Sequence, residues 1–226
     1  METKNSTGAV AFTKKDKQTL ESMKTIADGV AAFLGENCEV VLHSFDSLDK
    51  SIFHIVNGQV TGRNVGAPLT DLGMKLFTES SNSNKDVTEC YYSKNADGKL
   101  LRSITILIRN SEGKPIGMMC INFDMDAPFV DVLRLFCAKG QPEMDKPPET
   151  FVNSIEELIE VTLREARIAV NGDNNIPNNV KNKAIVGELI KKGIFDIRGA
   201  IDIVALKLSV SRYTIYNYIR ENKFFA

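Results

Sequence analysis

Between Gln141 and Glu149 the chain reads QPEMDKPPE, three of its seven prolines in nine residues with little apolar content. Each proline fixes φ and removes a backbone donor, so neither a helix nor a central strand runs through such a stretch. The 226 residues are thereby divided in two. Every strand signal lies before the break and only helical signals follow it. At 43% hydrophobic residues the composition is that of a globular protein, which excludes a disordered or fibrous chain.

The first part opens with apolar residues at helical spacing from about Thr13 to Leu34, with Leu20, Met23, Ile26, Val30 and Phe33 or Leu34 on one face and Gly35 as a stop. Two β-rich runs follow, CEVVLHSF from Cys38 and SIFHIV from Ser51, and Asn57-Gly58 reads as a turn. The segment PLTDLGMKLF predicts a helix starting at Pro68, where a missing N–H is harmless. Three more strands are expected near Val87–Lys94, Leu100–Arg109 and Pro115–Asp124, with turns at NADG and NSEGKP. The sum is a five-stranded antiparallel sheet with helices around one side.

After the break, Ser154 and Glu157 have capping-box spacing ahead of a stripe of Ile155, Leu158, Ile159 and Leu163 that ends near Arg167. So short a helix needs a partner, either within the chain or in a second copy. The polar run NGDNNIPNN then reads as a loop.

The last 46 residues carry the most specific pattern. Helices are expected at Lys181–Lys192, stopped by Gly193, at Arg198–Leu208, and again after Ser211 as N-cap. Ala205, Val210, Ile215 and Tyr218 supply the small and apolar residues that the elbow of a helix-turn-helix requires. With Ile215, Tyr218, Ile219 and Asn222 facing inward, Tyr213, Tyr216, Asn217 and Arg220 lie outward, beside Arg212. Arg and Asn can bind guanine and adenine at two points, and hydroxyls such as those of Ser211 and Thr214 can take phosphate. Ser209 occupies the turn position that glycine often fills, which calls for a strained or altered turn. Charge agrees with the assignment. Residues 181–226 hold nine Lys and Arg against four Asp and Glu, net +5, while the rest holds 19 against 25, net -6.

The string FDIRGAIDIVALKLSVSRYTIYNYI resembles the C-terminal helix-turn-helix of the YheO-like PAS regulators. Upstream, NCEVVLHSF, IVNGQVTGRNVGAPLTDLGMKLF, LLRSITILIRN and GMMCINFD are similar to the PAS-like domain of that family. The resemblance spans about Leu20 to Ile219. It implies an α+β protein: an N-terminal PAS-like sensor at residues 13–137, a Pro-rich linker and connecting helix at 138–180, and an all-α helix-turn-helix domain at 181–226. It implies a bacterial transcription factor.

Candidate ligand-binding residues come from polar positions in the matching segments. Alternation along CINFD sets Cys120, Asn122 and Asp124 on one face and Ile121 and Phe123 on the other. Arg63, Thr70, Asp71 and Ser103 complete the constellation, with caps and turns as the competing roles for each. Arg63 could pair with a ligand carboxylate or with Asp71. His43 and His54 fall on neighbouring strands and read as hydrogen-bonded structure rather than metal or haem ligands. Val65 stands where a flavin photosensor's reactive cysteine would be. No phosphate-binding glycine loop, hydrolase elbow or metalloenzyme histidine pattern occurs, so no catalytic residue, metal or cofactor is expected.

Neither a signal-peptide core nor an apolar run of membrane-spanning length is found, and Cys38, Cys90, Cys120 and Cys137 lack metal-site or redox spacing. The expected protein is a cytoplasmic homodimer with reduced thiols. It binds double-stranded operator DNA and answers to a small-molecule effector such as an amino acid or related metabolite. The alternative is an effector-free adaptor in which the PAS-like part only dimerises.

Overall fold

The computed structural model describes residues 12–80, 85–136 and 150–223, so the Pro-rich break and Cys137 lie outside the described residues. Two compact units result, Met1–Pro142 and Glu143–Ala226.

In the first unit, helix α1 (Lys14–Leu34) starts at a complete capping box. Asp16 N–H donates to Thr13 Oγ1 (3.2 Å) and Thr13 N–H donates to Asp16 Oδ2 (2.9 Å). It ends at Gly35, whose N–H donates to Ala31 O. The face it buries is not quite the expected stripe: Leu20, Ala27 and Ala31 are buried, whereas Ile26 and Phe33 are 49% and 79% exposed. Two alanines let the helix lie close to the sheet, and that rotation turns the bulkier residues outward.

The strands are β1 (Cys38–Ser44), β2 (Ile52–Val56), β3 (Tyr91–Lys94), β4 (Leu100–Arg109) and β5 (Pro115–Asp124). They form one antiparallel sheet in the order β2-β1-β5-β4-β3. β3 is shorter than the expected Val87–Lys94. Thr105 N–H of β4 donates to the Thr88 hydroxyl instead of a carbonyl, which leaves only a bridge from Val87 to Ile106 before regular pairing resumes at Tyr91. Helix α2 (Asp71–Glu79) also starts later than expected, because Thr70 rather than Pro68 begins it: Gly73 N–H donates to Thr70 Oγ1 at 3.1 Å. Helix α3 (Phe129–Phe136) follows β5.

Helices cover both faces of the sheet, not one. α1 packs with Val40, Leu42, Ile108 and Met119 on the first face. On the other face, α2 contributes Leu76 and Phe77 to a smaller cluster with Phe45, Leu69 and Met118, and Phe45 meets the Phe77 ring edge-on at 4.8 Å. Gly117 of β5 allows this layering. A Cβ there would sit 2.3 Å from the His43 carbonyl oxygen and 2.9 Å from Leu20 Cδ2.

The second unit is helical: α4 (Ile155–Gly172), α5 (Lys181–Lys191), α6 (Ala200–Leu208) and α7 (Arg212–Lys223). α4 begins at Ser154, which accepts from Glu157 N–H at 3.1 Å. Its partner lies within the chain. Ile159, Leu163, Ala166 and Val170 are buried in one core with Ile185, Val186 and Leu189 of α5, Val204, Ala205 and Leu208 of α6, and Ile215 of α7. Ile155 of the expected stripe is half exposed.

Candidate functional site

On the α2 side of the sheet, β1, β4 and β5 present Val41, His43, Leu101, Thr105, Met118, Cys120 and Asn122 to a cavity of about 380 Å³. That volume suits a small metabolite. The loop after the short 3-10 turn Gly58–Val60 brings in Thr61 and Arg63, the first turn of α2 brings in Thr70 and Asp71, and Tyr91 with Ser93 to Ala96 forms the far wall. Five of the six expected ligand-binding residues, Arg63, Thr70, Asp71, Cys120 and Asn122, line this space.

Ser103 does not reach the cavity surface. It lies on the same face of β4, between Leu101 and Thr105 and opposite both Tyr91 and Asn122, and its buried Oγ has no hydrogen-bond partner. An orphaned buried hydroxyl is costly, by about 1–3 kcal/mol. Arg63 does not pair with Asp71: its Nη2 donates to Pro68 O, while Asp71 accepts from Leu72 N–H at 2.8 Å. Asp124 lies at the end of β5 and pairs with Lys99 at 3.2 Å.

Sequence reasoning missed the residue that braces this site. Glu39 of β1 is fully buried and accepts three hydrogen bonds, from Thr61 N–H (3.2 Å), Thr61 Oγ1 (2.6 Å) and Asn122 Nδ2 (2.8 Å). Burial pushes its carboxyl above the ordinary range, and the donated bonds from Thr61 and Asn122 oppose that rise. A charged residue inside the run CEVVL, where both neighbours are apolar, was the available signal.

His43 also lines the cavity, with Nδ1 2.8 Å from Ser51 Oγ. Burial, with help from the nearby Arg63 charge, pushes its pKa down to about 4 and keeps the ring neutral. His54 is turned elsewhere, 2.7 Å from Asp28 Oδ1. Tyr91 OH, Thr105 Oγ1 and Cys120 Sγ form a chain at 3.0 and 3.5 Å, and burial pushes the Cys120 thiol up to about 11, so it stays protonated. Among the described residues no group of His, Cys, Asp and Glu is placed to hold a metal, and no helix is long and apolar enough to cross a membrane.

In the second unit, α6 and α7 meet at the expected elbow. α6 ends in a Schellman motif, with Ser209 N–H donating to Leu206 O (3.1 Å) and Val210 N–H to Ala205 O (3.0 Å), and Ser209 takes the left-handed conformation at φ 55°. Ser211 caps α7 through Thr214 N–H at 3.0 Å. Ile215 is buried, Tyr218 and Ile219 pack on the core, and Asn222 Nδ2 donates to Lys183 O at 3.3 Å.

The outward side carries Tyr213, Tyr216 and Arg220, all exposed, while Asn217 accepts from Arg220 Nη2 at 3.2 Å. Arg212 is exposed as well, but its guanidinium is paired with Asp202 of α6 through Nε and Nη2. Lys207 and Lys192 pair with Glu160 and Glu165 of α4, which partly offsets the basic count of this end. Arg198 and Lys181 have no such pair among the described residues.

The YheO-like PAS domain family matches residues 13–138, and an HTH domain family matches residues 162–220, starting inside α4. The chain is 40% identical over 212 residues to the protein YheO of Escherichia coli K12, covering 94% of this chain and 88% of that one. A Haemophilus influenzae protein is 39% identical, with coverage of 94% and 95%. The transcriptional regulator DauR of Pseudomonas aeruginosa is 26% identical, with coverage of 91% and 95%.

Proposed function

This chain belongs to the YheO-like PAS domain family, and we propose that within it the chain is a bacterial DNA-binding regulator whose PAS cavity takes a small metabolite that biases operator binding by its helix-turn-helix. DNA binding rests on the helix-turn-helix and on the regulator DauR among its relatives. The observation that carries the sensing role is the cavity, where polar side chains from β1, β4, β5, α2 and the Thr61–Arg63 loop converge on a space of about 380 Å³.

On this reading Arg212, Tyr213, Tyr216, Asn217 and Arg220 meet the major groove, with Ser211 and Thr214 at the phosphate backbone. The chain acts as a homodimer in the cytoplasm, since one recognition helix reads too few base pairs for specific binding. A ligand favouring one dimer geometry would shift the population that fits the operator.

Two measurements test it. Genomic fragments selected by the purified protein supply the operator, and Arg212→Ala and Asn217→Ala should each weaken binding to it by about 1–3 kcal/mol while the chain stays folded. Unchanged affinity in both would remove the groove assignment. A thermal-shift screen against metabolites tests the cavity, and no binder across a broad panel would leave an effector-free adaptor.

A further inference from the structure

Asn122 stands between two environments. Its amide nitrogen donates to the buried Glu39 at 2.8 Å, and its side chain also lines the cavity. The Thr61 N–H can only donate, which favours an ionised Glu39, and an ionised carboxylate can only accept, so Glu39 decides which end of the amide faces it. The other end, Oδ1, is left with no donor among the described residues. Glu39 is itself held, since Thr61 donates both its N–H and its hydroxyl to Oε2 while Oε1 serves Asn122. The amide therefore has one favoured orientation, with Oδ1 the end that Glu39 does not engage.

Two charges complete the picture. Arg63 spends one nitrogen on Pro68 O and keeps further donors for an anionic group. Asp71 lines the same opening with a carboxylate. An anion partner, a cation partner and an orphan acceptor in one small space suit a zwitterion with an N–H donor, the chemistry of a free α-amino acid.

We propose that Glu39 is a positioning residue that sets ligand class: by holding Asn122 with Oδ1 towards the cavity, it makes the site select amino acids over molecules of the same shape that lack the amino donor. The proposal rests on the reading of this cavity as a ligand site. It makes Glu39→Gln an informative change. Glutamine fills the same space, keeps an oxygen for Thr61 and turns an N–H₂ towards Asn122, which must then reverse and present its own N–H₂ to the ligand.

The test uses the full-length protein with matched probes: glutamate, leucine, alanine and arginine in both enantiomers, against the corresponding 2-oxo acids, by calorimetry and thermal shift. At least one amino acid should bind about tenfold or more tighter than its 2-oxo partner, the worth of one hydrogen bond to a committed acceptor. In Glu39→Gln that preference should fall by about tenfold, leaving only what the Asp71 carboxylate supplies. Should this variant fail to fold, Asn122→Leu, which withdraws the acceptor, should lower the preference by as much. A 2-oxo acid binding as tightly as its amino acid, or a preference untouched in Glu39→Gln, would overturn the proposal while leaving the cavity a ligand site. Binding by neither series would overturn both.

Discussion

Arg212, first residue of α7, is clamped by Asp202 of α6, its Nη2 2.7 Å from Asp202 Oδ2 and its Nε on the other carboxylate oxygen. A guanidinium gripped at two points offers the same edge to the carboxylate that it would offer to guanine or phosphate. If Arg212 reads a base, this pair breaks first. The pair is exposed and worth at most about 1 kcal/mol. Asp202→Asn should therefore raise operator affinity about two- to fivefold, and the gain should disappear in an Arg212→Ala background. Filter binding over the four-member cycle measures it, and a gain that survives without Arg212 would reduce Asp202 to bulk repulsion.

Ser209 closes α6 in the left-handed region at φ 55° and ψ 42°, where a side chain crowds the following carbonyl. Glycine has no such penalty, so Ser209→Gly should stabilise the chain by about 0.5–1 kcal/mol despite its looser unfolded state. Ser209→Val should lose more than that is gained. Denaturant midpoints for both variants decide it.

His43 supplies a pH dependence with a definite sign. Its pKa falls to about 4 in the fold, from an ordinary value near 6.5, because burial and Arg63 disfavour the charged ring. Between those values the unfolded chain binds a proton that the folded chain refuses, so stability rises with pH across the window. The contribution is complete above about pH 6.5 and is lost as pH falls towards 4, about 3 kcal/mol in all. Urea denaturation at pH 4.5, 5.5 and 7 should show a steeper slope in the native chain than in His43→Gln. Equal slopes would mean the ring is protonated in place.

Gly117→Ala should destabilise by about 2 kcal/mol or more, since the new methyl would lie 2.3 Å from the His43 carbonyl, which belongs to a paired strand and cannot withdraw. Gly172→Ala, with nothing within 4 Å of the added carbon, is the control and should be neutral or mildly stabilising. Comparable melting temperatures for the two variants would show that β1 and β5 can part.

Strands β4 and β5 were legible to the residue because alternation and flanking turns agree there. The start of α2 was not, because Pro68 and Thr70 both fit a helix start and only the hydrogen bond to Gly73 separates them. Ile26 and Phe33 misled because periodicity marks what is apolar, while packing distance favoured the alanines beside them. Five cavity residues were readable as polar groups on otherwise apolar elements. Glu39 escaped because its partners, Thr61 and Asn122, lie 22 and 83 residues away in the chain. The Arg212 pairing escaped for the same reason at closer range, since side-chain spacing cannot tell an arginine that waits for DNA from one already occupied.

α4 shares its core with α5, α6 and α7. A fragment cut at Lys181 would leave the apolar backs of Ile185 and Leu189 in water, so an excised DNA-binding piece has to begin before Ser154 if it is to stay soluble. The same packing makes α4 a handle rather than a tether. Ile159, Leu163 and Val170 are as much a part of the core beneath Tyr213 and Tyr216 as Ile215 is.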